Sequence, residues 1–299
     1  MTTNAQRLDV LCIGHASYDL VFAISHHPGP DEKTVADDLL GCGGGPAANA
    51  AVAVARLGAS AGFCGYLGND VYGDSHLREL LAAGVGTQWV VRGNSPTPLS
   101  AVLVKPNGQR ALINYKGGTE ALPAERLSFT GREAKVLLCD GHEPGLSLTA
   151  LAAADDKTGS VLDGGSLHAG TLALLDKVDY AVCSEKMAVQ YAGDEQAALV
   201  KFAELAPAAV ITLGARGLIW RRGTETGALE APPVLAVDST GAGDAFHGAF
   251  AAGLAAGLEW QTLLRYASAA GALCCTRLGA RPGLPTLEQQ LALLAQWRQ

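Results

Sequence analysis

A chain of 299 residues with 48% hydrophobic and 17% charged side chains has ample apolar area to bury, which excludes intrinsic disorder and fits one large α/β domain or two small ones. With 22 Lys+Arg against 29 Asp+Glu the formal net charge is −7, and no basic block could lie along a phosphate backbone, so nucleic acid is excluded as a partner. The seven cysteines are odd in number, scattered and without C-x-x-C spacing, and no apolar run approaches the roughly 18 residues of a membrane span, so the reading is a reduced, cytoplasmic protein with no membrane contact.

In chain order, residues 8–13 read as a buried strand that ends at Gly14 and delivers His15, Ser17 and Asp19 where α/β sheets place ligands. Residues 21–40 are irregular and polar. Glycines 41 and 43–45 with Pro46 then open a helix over 47–57, stopped by Gly58. A strand near 61–67 and a helix over about 74–83, closed by Gly84, set a βαβα alternation and predict a largely parallel sheet. The rhythm changes at 99–105 and 110–115, two strands flanking Asn107-Gly108, a strong hairpin signal. They predict a small β-sheet lid, inserted from about 16–42 and 96–117 into a single domain over 1–299. Strands over 135–139, 160–163, 180–183 and 209–213 and helices over 146–153, 171–176 and 196–205 resume the alternation. Helices over 245–256, 261–275 and 287–298 follow. The whole predicts an α/β, Rossmann-like core sheet flanked by helices.

Two segments carry chemistry. In 237–248, Asp238, Ser239 and Thr240 lead into Gly241, Ala242 and Gly243 and a helix beginning near Asp244. Small residues at a helix start let an anion approach free N–H groups at the positive end of the dipole. A carboxylate there can take a proton from a hydroxyl while the amides hold the charge of a transferring phosphoryl group. Asp244 as a mere helix cap is the competing reading, and the upstream acid and hydroxyls favour the site. In 43–49, Asn49 lies on an otherwise apolar helix and must satisfy its amide, which favours a ligand or loop contact. Gly41-x-Gly43-x-x-Pro46 lacks the third glycine of a dinucleotide fingerprint, and no Walker-type loop occurs.

Gly44-Gly-Pro-Ala-Ala-Asn-Ala-Ala with Arg56-Leu-Gly58, and Asp238-Ser-Thr-Gly-Ala-Gly-Asp-Ala-Phe-x-Gly248, resemble the two signatures of the ribokinase-like (PfkB) carbohydrate kinases. The resemblance covers nearly the whole chain. It implies ATP-dependent phosphorylation of a sugar hydroxyl on a ribokinase-type core, with Mg2+ arriving on the nucleotide, room for a monovalent cation, and a homodimer formed through the lid. It implies Asp244 as catalytic base and Gly241, Ala242 and Gly243 as the anion hole. Asp19, Gly44, Gly45 and Asn49 would hold the sugar, and Thr212, Gly214 and Gly217 the nucleotide. The family's Asn-x-x-Glu motif is replaced here by Ser184-Glu-Lys-Met187, so Glu185 or Asp163 would take over its work with metal and phosphate.

Within the family the chain is similar to the bacterial sulfofructose kinases, which implies a ketohexose or 6-deoxy-6-sulfofructose as acceptor. Of the Lys, Asn and Arg that subgroup places around the sulfonate, Lys33 and Asn114 match, whereas His142 stands at the Arg position. An imidazole offers fewer donors than a guanidinium fork. A nucleoside acceptor would need aromatic walls, for which Tyr18 and Phe22 are the nearest candidates. A catalytically silent sugar-binding relative is the remaining alternative.

Overall fold

The computed structural model describes residues 7–131 and 133–297. Its first half contains β1 (Leu8–Ile13), β2 (Ser17–Ala23), β3 (Asp38–Gly44), α1 (Pro46–Arg56), β4 (Ala61–Gly68), α2 (Val71–Ala82), β5 (Gly86–Gly93), β6 (Leu99–Val104), β7 (Arg110–Tyr115) and β8 (Ala134–Cys139). After these come α3 (Pro144–Ala153), β9 (Gly159–Gly164), α4 (Ala169–Leu174), β10 (Tyr180–Ser184), α5 (Glu185–Ala192), α6 (Glu195–Leu205) and β11 (Ala208–Thr212). The chain closes with β12 (Leu218–Arg222), β13 (Glu225–Leu229), α7 (Ala242–Ala255), α8 (Trp260–Cys274), α9 (Ala280–Gly283) and α10 (Leu287–Gln296).

A nine-stranded sheet runs β13-β12-β11-β10-β9-β8-β1-β4-β5, parallel from β11 to β5 and ending in the antiparallel β12–β13 hairpin. Both faces are covered. Val10 and Cys12 of β1 point into the core formed with α1, α7 and α8, while Leu11 and Ile13 point into the core on the α3 and α6 side. Burial on two sides is why β1 is a continuous apolar run rather than an alternating one. The strand order reverses at β1, which lies between β4 and β8, and the crevice beyond such a reversal is where α/β sheets bind ligands.

The second sheet, β3-β2-β6-β7, is built from residues 17–44 and 99–115, with β2 antiparallel to β3 and parallel to β6, and β6 antiparallel to β7 around the Asn107-Gly108 turn. Here the structure corrects the sequence reading. Residues 21–40 contain the end of β2 and the start of β3, and β3 runs on through Gly41 to Gly44 instead of forming a turn before the helix. Those glycines keep the strand close to bulky neighbours. A Cβ on Gly43 would lie 2.6 Å from the His76 ring, and one on Gly44 2.2 Å from the Asp19 carboxylate. Only Gly45, at φ 90°, makes the turn into α1. The strand β5, the helix α5 and the β12–β13 hairpin were not anticipated either, and α7 begins at Ala242 rather than near Asp244.

α7 crosses α1 at Gly248, where a Cβ would stand 2.6 Å from the Ala50 carbonyl oxygen and 2.9 Å from the Ala53 methyl. Alanine inside a helix normally gains about 1 kcal/mol over glycine. Here overpacking reverses the sign, and Gly248→Ala is expected to destabilise by about 1–3 kcal/mol in a urea titration.

Candidate active site

A cavity of about 570 Å³ opens beyond the C-terminal ends of the parallel strands and beneath the lid, lined by β2, β7, α1 and the start of α7. Asp244 lies in the first turn of α7, whose N-cap is Gly241 in the left-handed conformation at φ 79°. Its Oδ2 accepts from Asn49 Nδ2 at 2.8 Å. The carboxylate caps nothing, and among the described residues its Oδ1 has no partner and no acceptor meets the Gly243 and Asp244 amides. Burial pushes the Asp244 carboxyl up to about 7, with the charges of Asp163 and Asp19 adding to the rise and the Asn49 hydrogen bond opposing it. Gly241 and Gly243 line the cavity, whereas Ala242 does not and turns its N–H to the Ser239 carbonyl at 3.3 Å.

The loop before α7 is held by Asp238, which is fully buried. Its Oδ1 accepts from Thr240 N at 2.9 Å and Thr240 Oγ1 at 2.7 Å, and its Oδ2 accepts from Gly279 N at 2.8 Å. The loop backbone is therefore tied to the turn before α9 without help from any ligand. Fixed amides of this kind stabilise developing charge without reorganising.

Asp19, on β2, faces the same space and accepts from Ser17 Oγ at 2.9 Å, and burial raises its carboxyl above the usual range. Gly45, Asn49, Asn114 and His142 also line the cavity, while Gly44 lies beneath Asp19. Lys33 is not brought to this place. It lines a separate shallow depression between Phe22, Glu32 and Leu103. Tyr18 packs against Tyr72 with ring centroids 5.3 Å apart and does not wall the cavity.

At the other end, Asp163 closes β9 with its Oδ2 3.2 Å from His247 Nδ1, and burial raises this carboxyl as well. Glu185 opens α5 at the rim and pairs with Arg216 at 2.9 Å. Thr212 and Gly214 line the cavity. Gly217 stands back from it and, at φ 88°, reverses the chain into β12.

Three contributors, Asp140, His247 and Arg281, were missed by sequence reasoning, while His15 was expected at the strand end without a role. Asp140, after β8, accepts from His15 N at 2.7 Å and Ala47 N at 3.2 Å through Oδ2, and from His142 N at 2.8 Å through Oδ1. His15 lines the cavity beside His142, with ring centroids 5.0 Å apart. His247 places Nδ1 2.7 Å from the Gly243 carbonyl oxygen and Nε2 3.0 Å from that of Val182. Arg281 is buried behind Asn49.

A doubly wound parallel sheet under a four-stranded lid, with a buried acid at a helix start facing the cavity between them, defines a ribokinase-type phosphotransferase. The family model for pfkB family carbohydrate kinases matches residues 7–287. The ribokinase of Bacillus subtilis is 29% identical, over 96% of this chain and 99% of its own. The structure of Arabidopsis thaliana ribokinase complexed with ribose and ATP superposes with a TM-score of 0.84 at 26% identity, covering 97% of this chain and 99% of that one. That of Xylella fastidiosa fructokinase with bound ATP gives 0.79 at 26% identity, covering 96% and 98%. The chain belongs to the pfkB family of carbohydrate kinases and is an ATP-dependent sugar kinase.

Proposed function

We propose that the chain transfers the γ-phosphoryl group of Mg-ATP to a hydroxyl of a ketohexose, with Asp244 as the base. The observation that carries this reading is the Asp244 carboxylate itself, one oxygen held by Asn49 and the other open to the cavity beside the free Gly243 and Asp244 amides. The acceptor hydroxyl donates to Asp244 Oδ1 and passes its proton there as its oxygen attacks phosphorus. The amides at the start of α7 meet the charge on the transferring group. Asp19, Asn49 and the backbone at Gly45 orient the sugar, and Thr212 and Gly214 lie along the nucleotide.

Mg2+, bound on the nucleotide, supplies neutralisation of phosphate charge. The residues present fit it, because the buried Asp163 carboxyl lines the nucleotide end of the cavity and is raised by burial and by the charge of Asp140, a strain that a divalent cation relieves. Glu185, at the rim, is the second acidic group within reach of the nucleotide end.

A 6-deoxy-6-sulfofructose acceptor is the second reading, supported by Asn114 and His142 in the cavity. Lys33 stands apart from them, which favours the uncharged ketohexose. The chain pairs with a second copy through the lid, whose outer surface exposes Leu39 and Ile113 at 56% and 66%.

ADP release from Mg-ATP across fructose, tagatose, ribose, 6-deoxy-6-sulfofructose, nucleosides and no sugar tests this. Fructose or tagatose is expected to stimulate turnover most, over a slow sugar-free hydrolysis that lid closure restrains. Greater stimulation by the sulfonated sugar selects the second reading, and no stimulation by any sugar supports a silent binder.

A further inference from the structure

A buried cation behind the acceptor end of the cavity has no part in the roles above. Arg281, at the start of α9, is 5% exposed and reaches residues of both α1 and α2. Its Nε donates to Asn49 Oδ1 at 3.2 Å, Nη2 lies 3.0 Å from His76 Nε2, and Nη1 lies 3.4 Å from Glu79 Oε2. The same Glu79 oxygen accepts from Gly43 N at 2.9 Å, so the group is anchored to β3. Its nearest contacts are thus an amide, an imidazole and one carboxylate at the edge of reach, a costly setting for a buried charge if packing were its only purpose.

The chemistry of the donors gives the arrangement a direction. A guanidinium can only donate, whereas the two ends of an asparagine amide differ in role but hardly in shape. With Arg281 donating to one end, that end has to be oxygen, and the NH2 group has to face Asp244, where it donates to Oδ2 at 2.8 Å. Without Arg281 only the ionised Asp244 holds the amide that way round, and once that carboxyl is protonated the amide is free to turn over and accept from it. We propose that Arg281 is a positioning residue that locks the Asn49 amide, so that Asp244 is held by one oxygen and presents the other to the acceptor hydroxyl. The inference rests on Asp244 being the base.

The groups facing Asp244 are Asp19 from β2, Asp163 from β9, His247 on its own helix and Cys274 from α8, and of these Asp19 also feels the Arg281 charge. Arg281→Met is expected to lower kcat roughly ten- to a hundredfold, the scale of a misplaced reacting group, with KM for Mg-ATP unchanged. It also moves the acid limb of the kcat/KM profile to higher pH, because the Asn49 donor that favours the ionised carboxylate is no longer held in place. In an Asn49→Ala background the same substitution causes no further loss of kcat, since its effect runs through that amide.

Arg281→Lys, which keeps a donor-only cation, retains the wild-type limb, whereas Arg281→Gln, whose amide can present either end, does not. This pair decides the matter should the Met variant fail to fold. An unmoved limb with losses that add to those of Asn49→Ala overturns the proposal while leaving the base intact. Activity surviving in Asp244→Ala overturns the reading beneath it.

Discussion

Asp244→Ala lowers kcat by about 10²–10⁴-fold, the range a positioned general base contributes, while KM for Mg-ATP changes little. Asp244→Asn, which keeps the shape and cannot take a proton, shows the same loss. Coupled ADP release measures both, and a loss under tenfold in either variant would sink the assignment. The carboxyl is pushed up to about 7, first by burial and then by Asp163, so its ionised fraction falls on the acid side. The profile of kcat/KM therefore falls about tenfold per pH unit below that point.

The same shift carries a sign for stability. The folded carboxyl titrates above its ordinary value of 3.8, so between 3.8 and about 7 the folded protein holds a proton that the unfolded chain has lost. Stability then declines as pH rises through that window. Above it the ionised group is a burden, and Asp244→Ala is expected to raise Tm at pH 8 but not at pH 4. Activity and stability thus move in opposite directions at one residue.

Asp244 and Asn49 are legible in the sequence because each announces itself locally. One stands at a glycine-rich helix start, and the other is a lone amide on an Ala/Val face. What joins them is not local. The 2.8 Å bond spans 195 positions and exists because α1 and α7 cross at Gly248. The lid shows the same limit. The Asn107-Gly108 hairpin is written in its own turn, while β3 contains Gly41, Gly43 and Gly44 and takes its strand character from pairing with β2. Arg281 stands in Gly279-Ala280-Arg281-Pro282-Gly283, which reads as a turn, and only the fold sets it behind Asn49.

Asp140 is the clearest case of a residue whose weight lies in the fold, and it carries the largest expected effect on stability. It follows an ordinary buried strand, with no motif to single it out. In the structure its two oxygens accept three backbone N–H groups, from the β1–β2 loop at His15, from the second residue of α1 at Ala47, and from its own loop at His142. Gly45 provides no side-chain cap for α1, so the Asp140 carboxylate serves as a remote one, at the positive end of that helix. The strand-end glycine follows from the same contact, since a Cβ on Gly14 would stand 1.9 Å from Asp140 Oδ1.

Truncation to alanine strands all three donors at a site where the side chain is 3% exposed. Each bond to a charged acceptor is worth roughly 1.5–3 kcal/mol, and water entering from the cavity offsets part of the loss. Asp140→Ala is therefore expected to destabilise by about 4 kcal/mol, a fall in Tm of roughly 8 °C. Asp140→Asn is milder, because its oxygen can still serve His15 and Ala47 while only the His142 amide meets another donor. Thermal denaturation of the two variants beside wild type measures this order. A drop in Tm of under about 2 °C for alanine would mean that water replaces the carboxylate at little cost, and the three segments would then be held by their own packing.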